Sequence, residues 1–279
     1  MIALAAAFFA AALPGATVLQ PVVNMYSKPT DDADVVSQAI YGVNVGILEQ
    51  KDGWARIRTP DDYTGWTPLA AIRTGAPYAS QGRVAQVVSM FAHIYREPSV
   101  TRHAPLITVP FETHLEVATD KPAAPADTRW LQVRLVDGRS GFIQSGDVAL
   151  DRTPISTPEM LALSRKFLGV PYTWGGTSSY GYDCSGFMQM LERQHGVLMP
   201  RDAQPQAEWK GVKPVLRQNL EPGDLLYFGS SEKHITHTGM YLGDGKFINA
   251  TTYITPMVRI DDLGDPHWVK LLVAARRVK

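Results

Sequence analysis

The 279-residue chain has one cysteine, Cys184, and no net charge, with 27 Lys+Arg against 27 Asp+Glu. A single thiol excludes an intrachain disulfide framework and every all-cysteine zinc or iron–sulfur site. A balanced charge offers no field to hold a phosphate backbone, so nucleic acid is not an expected partner. The apolar run Ile2 to Leu13 is too short for a bilayer, which takes about 20 apolar residues. With 20 Pro, 23 Gly and 19% charged residues, the chain reads as globular and turn-rich rather than disordered. The lone thiol is then either a buried bystander or a nucleophile.

The run Ile2 to Leu13 leads into Pro14-Gly15-Ala16. This suits the apolar core and small-residue end of a secretory signal, without the usual basic residue ahead of it. A short buried helix is the alternative. We expect residues 1–16 to be a leader and the protein to be exported, to the periplasm, the cell envelope or the medium.

Two stretches repeat one pattern. Tyr26-x-x-Pro29, Val35-Val36, Val43-x-Val45, Trp54 to Ile57 and Gly65-Trp66 recur as Tyr95-x-x-Pro98, Leu106-Ile107, Leu115-x-Val117, Trp130 to Val133 and Gly141-Phe142. The offset is 69 residues at the Tyr and 76 at the Trp, the difference falling in a Pro/Ala-rich insert around Lys121 to Asp127 that reads as a loop. Short alternating runs split by Asp-Gly and Pro turns predict small antiparallel barrels over 17–78 and 83–150. Trp54, Trp66, Trp130 and Phe142 are expected in their cores. Here the sequence resembles bacterial SH3-like domains, which sit beside cell-wall hydrolase domains.

The pattern changes at Thr157. Pro158 to Phe167 reads as a helix with Met160, Leu161, Leu163 and Phe167 on one side. A second helix starts at Tyr182-Asp183-Cys184-Ser185-Gly186, with Asp183 or a neighbour as cap and His195-Gly196 as its end. Cys184 then lies in the first turn, where the helix dipole lowers a thiol pKa. A thiol nucleophile needs an imidazole base and a polar residue to orient that ring. His237 and Asn249 supply both, on two strands around Gly243-Asp244-Gly245. A two-residue loop at Asp244-Gly245 pairs positions summing to 489 and sets His237 and Asn249 on opposite faces; an odd loop sets them on one face. The odd loop is predicted. His234, three residues from His237, faces the other way on a strand, so no metal site is expected, and no cofactor.

Asp183-Cys184-Ser185-Gly186, preceded by Pro171-Tyr172-x-Trp174-Gly175-Gly176 and followed by His237-x-Gly239-x-Tyr241-x-Gly243, resembles the NlpC/P60 cysteine peptidases over residues 155–279. The resemblance implies a multidomain chain: two small all-β SH3-like barrels followed by an α+β papain-like domain. It implies Cys184 as nucleophile, His237 as base, Asn249 as orienting residue, and cleavage of γ-D-glutamyl bonds to a diamino acid in peptidoglycan stem peptides. Many members carry histidine where this chain has Asn249.

Two SH3-like modules ahead of the peptidase look like the subgroup that trims released muropeptides with a free N-terminal L-alanine, the first barrel walling off the cleft. Tyr63 and Asp183 match residues that hold that amine there; Lys28 stands where a Glu is expected, and a cation repels an ammonium. Pro200-Arg201-Asp202 matches a motif lining the cleft, with Ala203 where many members have Ser. Tyr172 is read as an oxyanion or substrate donor or as a packing residue, Trp174 as a cleft wall, and Ser185 and Asp202 as substrate contacts. Arg201 either grips a substrate carboxylate or forms a structural salt bridge to a neighbouring Asp. Two other functions stay open: hydrolysis of intact wall with the barrels as wall-binding modules, and catalytically silent binding of muropeptides.

Overall fold

A computed structural model describes residues 15–118 and 128–279. The apolar run Ile2 to Leu13 and the insert at Lys121 to Asp127 lie outside the described residues. Gly15 and Ala16, read above as the end of a leader, instead form the first strand: Ala16 is buried and pairs with both Val45 and Thr74.

The first sheet has seven strands: β1 (Gly15–Val18), β2 (Val22–Tyr26), β3 (Val35–Ile40), β4 (Asn44–Lys51), β5 (Trp54–Arg58), β6 (Thr64–Pro68) and β7 (Ile72–Thr74). The second has β8 (Val84–Val87), β9 (Phe91–Tyr95), β10 (Ile107–Pro110), β11 (His114–Val117), β12 (Trp130–Arg134), β13 (Ser140–Gln144) and β14 (Val148–Leu150). Their strand orders are β3-β2-β6-β5-β4-β1-β7 and β10-β9-β13-β12-β11-β8-β14, the same order shifted by seven. The sequence repeat is thus a structural repeat.

The aromatic residues sit elsewhere than expected. Trp54 shares the outward side of β5 with Arg56 and Arg58, while Ala55 and Ile57 point inward and are fully buried. Trp66 and Phe142 are likewise half-buried, and of the four only Trp130 is buried. Mostly aliphatic residues fill the two interiors, joined in the second by Tyr41 and Tyr78. The aromatics serve as matched braces: Tyr26 meets Trp54 edge-on at 5.6 Å, and Tyr95 meets Trp130 edge-on at 5.8 Å.

The third body starts with α1 (Thr157–Arg165), where the Glu159 carboxylate accepts from the Ser156 backbone N–H at 2.8 Å, one half of a capping box. Next come β15 (Thr177–Ser178), β16 (Gly181–Tyr182), α2 (Cys184–Gln194), α3 (Ala203–Glu208), β17 (Val212–Pro214), β18 (Leu225–Ser231), β19 (His234–Gly243), β20 (Lys246–Thr251), β21 (Met257–Asp262), α4 (Pro266–Leu271) and β22 (Leu272–Val278). The main sheet runs β17-β22-β18-β19-β20-β21. Phe187, Met190 and Leu191 of α2 join Tyr227, Met240 and Ile248 of the sheet in one buried cluster. Each such side chain contributes about 1.5–3 kcal/mol, which fixes the helix start over β19 and β20.

The β19–β20 hairpin reaches the expected facing by a different route. Gly243 pairs with Lys246, so the loop is the two-residue Asp244-Gly245, both residues at positive φ (49° and 70°). A bulge between Tyr241 and Gly243 then shifts the register, giving Tyr241–Phe247 and Met240–Ile248 pairs. The bulge supplies the odd residue that the loop does not. Asn249 consequently falls opposite Gly239 and on the face that carries His237.

Both sheets are docked onto α2. Glu112 of the second receives Arg193 Nε at 3.0 Å and Nη2 at 2.7 Å. Asp61 of the first accepts from Gln189 Nε2 at 2.8 Å. A cavity of about 430 Å³ lies where the three bodies meet; Asp61, Glu112, Gln189 and Arg193 line it, and Cys184 and His237 do not.

Candidate active site

Asp183 ends the extended segment before α2 and caps it, its carboxylate accepting from the Gly186 N–H at 2.7 Å. Cys184 is therefore the first helical residue. Its sulfur faces the backbone N–H groups of Thr238 and Ser185, which bring it against β19 one residue from His237. The helix start does not win the contest over the thiol pKa. Burial, and then the adjacent Asp183 charge, push it up to about 12, against those N–H groups and Arg201. This corrects the expectation of a thiol acidified by position.

His237 presents Nε2 to the Asn249 carbonyl oxygen at 2.8 Å. Trp268 stacks on its ring, centroids 5.1 Å apart with 24° between planes, and Phe228 packs at 5.6 Å. Desolvation by these walls pushes the imidazole pKa down to about 4, despite the Asn249 hydrogen bond. Burial thus disfavours the charged forms of both groups, the thiolate and the imidazolium. Gly239 makes room for the pair: a Cβ there would lie 3.1 Å from Asn249 Cβ and 2.8 Å from Phe247 Cδ2.

Arg201 is 2% exposed and its guanidinium is fully engaged within the protein. Nη1 and Nη2 grip Asp183 at 3.0 and 2.6 Å, Nη1 also reaches Ser185 Oγ at 2.9 Å, and Nε donates to Ser37 Oγ of β3 at 3.1 Å. Of the two readings above, the geometry is that of the structural salt bridge, with no free fork for a substrate carboxylate. Ser185 Oγ is drawn into the same network, donating to Asp183 at 3.3 Å. Its hydroxyl braces the cap rather than facing the thiol.

The first sheet reaches the site through several contacts. Tyr63 O–H donates to Asp202 Oδ2 at 3.1 Å, and burial followed by the Asp202 charge pushes its pKa up to about 12. Thr177 N–H donates to Gln38 Oε1 at 3.2 Å. Gly175, at φ +73°, lets Val35 approach so closely that a Cβ would lie 2.7 Å from Val35 Cγ1. Beside it Trp174 is 71% exposed, its indole open to solvent. Tyr172 is half-buried, its phenol pKa raised by burial and by the nearby Cys184. Lys28 lies in the exposed turn between β2 and β3, with Asp31, Asp32 and Asp34.

Sequence reasoning missed three contributors: Trp268, which walls His237; Ser37, which holds Arg201; and Asp261, which accepts from Asn249 Nδ2 at 2.9 Å. Only Asp261 had a local signal, since an amide with two unlike ends needs a partner to fix its direction.

Residues 169–277 match the NlpC/P60 family, and residues 25–72 match the bacterial dipeptidyl-peptidase SH3 domain. The chain is 30% identical over 258 residues to the gamma-D-glutamyl-L-lysine dipeptidyl-peptidase of Bacillus cereus (strain ATCC 10987 / NRS 248), covering 86% of this chain and 74% of that one. The chain belongs to the NlpC/P60 family. A protein of the same name from Bacillus subtilis (strain 168) is 28% identical, with 88% and 82% covered. In fold, an NlpC/P60 protein from Bacillus cereus ATCC 10987 superposes with a TM-score of 0.82 at 24% identity, over 95% of this chain and 99% of that one. The chain therefore carries an SH3 domain followed by an NlpC/P60 domain. Among the described residues no helix is long and apolar enough to cross a membrane.

Proposed function

We propose that the protein is a cysteine peptidase hydrolysing the γ-D-glutamyl–diamino acid amide bond of peptidoglycan stem peptides. Its substrates are released muropeptides, met outside the cytoplasm during wall turnover. In this reading the second sheet is a second SH3-like barrel, which its strand order, the same as the first, supports. The single observation that carries the function is the trio itself: a thiol at a helix start, and an imidazole–amide pair on neighbouring strands beside it. The names of the two Bacillus relatives point to the same bond.

In the attack, Nδ1 of His237 takes the Cys184 proton as sulfur bonds to the amide carbon. The imidazolium then protonates the departing amine as the C–N bond breaks, leaving a γ-glutamyl thioester. His237 next removes a proton from water as its oxygen attacks the thioester; the C–S bond breaks, the imidazolium returns that proton to the Cys184 sulfur, and the γ-glutamyl carboxylic acid leaves and ionises in solvent. Tyr172 lies beside Cys184 and offers a hydroxyl to the oxyanion.

Preference for small fragments over intact wall is supported by the close approach of the first sheet. Val35 packs on Gly175, Gln38 on Thr177, Tyr63 on Asp202 and Ser37 on Arg201, which in turn holds Asp183 and Ser185 on either side of Cys184, as a wall at one end of the cleft does. Asp183 and Tyr63 then face the substrate's free amine, with Trp174 against its backbone and Asp202 holding Tyr63. The test is L-Ala-γ-D-Glu-diamino acid tripeptide with a free or blocked N-terminus. Cleavage of the free form only, lost in Cys184→Ala, is expected. Equal cleavage of both rejects the walled cleft, and full activity in Cys184→Ala rejects the nucleophile.

A further inference from the structure

We propose that Asp261 is a positioning residue that decides which ring nitrogen of His237 is the base; the inference rests on the reading of His237 as base. A side-chain amide has a donor end and an acceptor end, and either suits an imidazole: facing the ring with oxygen it demands N–H, facing it with nitrogen it demands a lone pair. Asn249 alone therefore leaves the tautomer of His237 open. Asp261 closes the choice. Its carboxylate offers only acceptors, Oδ2 to Asn249 Nδ2 at 2.9 Å and Oδ1 to Arg259 Nη2 at 2.7 Å. Asn249 Nδ2 also reaches the Arg259 carbonyl oxygen at 3.4 Å, so both of its hydrogens are directed away from the ring.

The sheet explains why these groups meet. Asn249 pairs directly with Arg259, and Asp261 lies two residues further along β21 on the same face. Asn249 is fully buried and Asp261 is 7% exposed, so water does not compete for the amide. With its nitrogen tied to Asp261, Asn249 turns oxygen to His237. The ring proton must lie on Nε2, and Nδ1 keeps the lone pair that takes the thiol proton.

Asp261→Asn inverts this order. Its single oxygen goes to the Arg259 cation, its NH2 faces Asn249, and Asn249 turns over to donate to Nε2. The ring proton then moves to Nδ1. The expected result is a His237 ring that changes from Nε2–H to Nδ1–H by 15N NMR, with kcat down by about tenfold or more and KM within about twofold. Asp261→Ala is the second variant and gives a mixture of both tautomers. Adding Asn249→Asp to Asp261→Asn restores the direction, because a carboxylate at 249 accepts from both neighbours; kcat and the Nε2–H signal return together. Nδ1–H in the unmodified protein, or Nε2–H retained with unchanged kcat in both single variants, overturns the proposal. The tautomer is read without substrate, so a chain that fails to cleave the tripeptide defeats the proposed function while leaving this assignment to the NMR.

Discussion

Replacing Arg201 by methionine isolates the buried charge that caps α2. Arg201 and Asp183 are 2% and 8% exposed and joined by two hydrogen bonds of 3.0 and 2.6 Å. Without the guanidinium, Asp183 keeps only the Gly186 N–H and Ser185 Oγ for a buried carboxylate. Removing one member of such a pair costs about 3–5 kcal/mol. At about 2–4 °C per kcal/mol, the catalytic body melts about 6–20 °C lower. Asp183→Asn added to Arg201→Met removes the orphaned charge, so most of that loss returns, because deleting both ions is close to neutral. Function does not return with it: the doubly substituted protein lacks the carboxylate proposed to hold the free amine, and the unblocked tripeptide remains a poor substrate. Thermal denaturation followed by near-UV circular dichroism, alongside tripeptide turnover, separates the two effects. A melting point for Arg201→Met within about 2 °C of the parent refutes the buried-pair argument, as does a double variant no more stable than the single.

Gly239→Ala places a methyl 3.1 Å from Asn249 Cβ and 3.0 Å from the Ile248 carbonyl oxygen. It costs about 1–3 kcal/mol of stability and lowers kcat by displacing Asn249, whereas Gly245→Ala, with nothing within 4 Å of its Cβ, leaves kcat unchanged; equal kcat in the two variants would show that the space opposite Asn249 is immaterial. For pH, the folded His237 value of about 4 lies below the ordinary value of about 6.5. The stability this neutral ring contributes is fully present above pH 6.5 and is lost as pH falls through 4, because the unfolded chain binds the proton first. The free-enzyme acid limb of kcat/KM accordingly falls near pH 4, and His237→Gln flattens the melting-temperature profile between pH 4 and 6.5; an acid limb near 6.5 contradicts the desolvation by Trp268 and Phe228.

The elements that were legible in the sequence are those whose determinants lie close together along the chain. The first turn of α2 is one example: Asp183, Cys184 and Gly186 carry cap, thiol and capped N–H within four residues. The repeat is another, since the Tyr-x-x-Pro and Trp anchors recur in order. The hairpin lies at the limit of what local spacing specifies. Facing of His237 and Asn249 followed from side-chain parity, but whether the odd residue sat in the loop or in a bulge depended on local backbone geometry, with Asp244 at φ 49°. Trp54 lies outward because its alternation with Arg56 and Arg58 puts it on the solvent side of β5, where side-chain parity outweighs bulk and hydrophobicity.

What stayed hidden pairs residues far apart. Ser37 reaches Arg201, Tyr63 reaches Asp202, Asp61 reaches Gln189, and Glu112 reaches Arg193. Each joins a sheet near the N-terminus to α2 or to the segment after it, and none has a spacing to read. These contacts bear on how the first sheet acts. A tethered wall-binding module needs only a linker and a surface of its own. The first sheet instead supplies acceptors to buried polar groups of the catalytic body: Ser37 completes the hydrogen bonds of Arg201, whose guanidinium holds Asp183 and Ser185 on either side of Cys184, and Asp61 accepts from the α2 residue Gln189, which is 2% exposed. Undocking it leaves buried donors without partners, at about 1–3 kcal/mol each. The first sheet is thus a structural part of the site, and a change in its docking face alters the cleft as directly as a substitution beside the thiol.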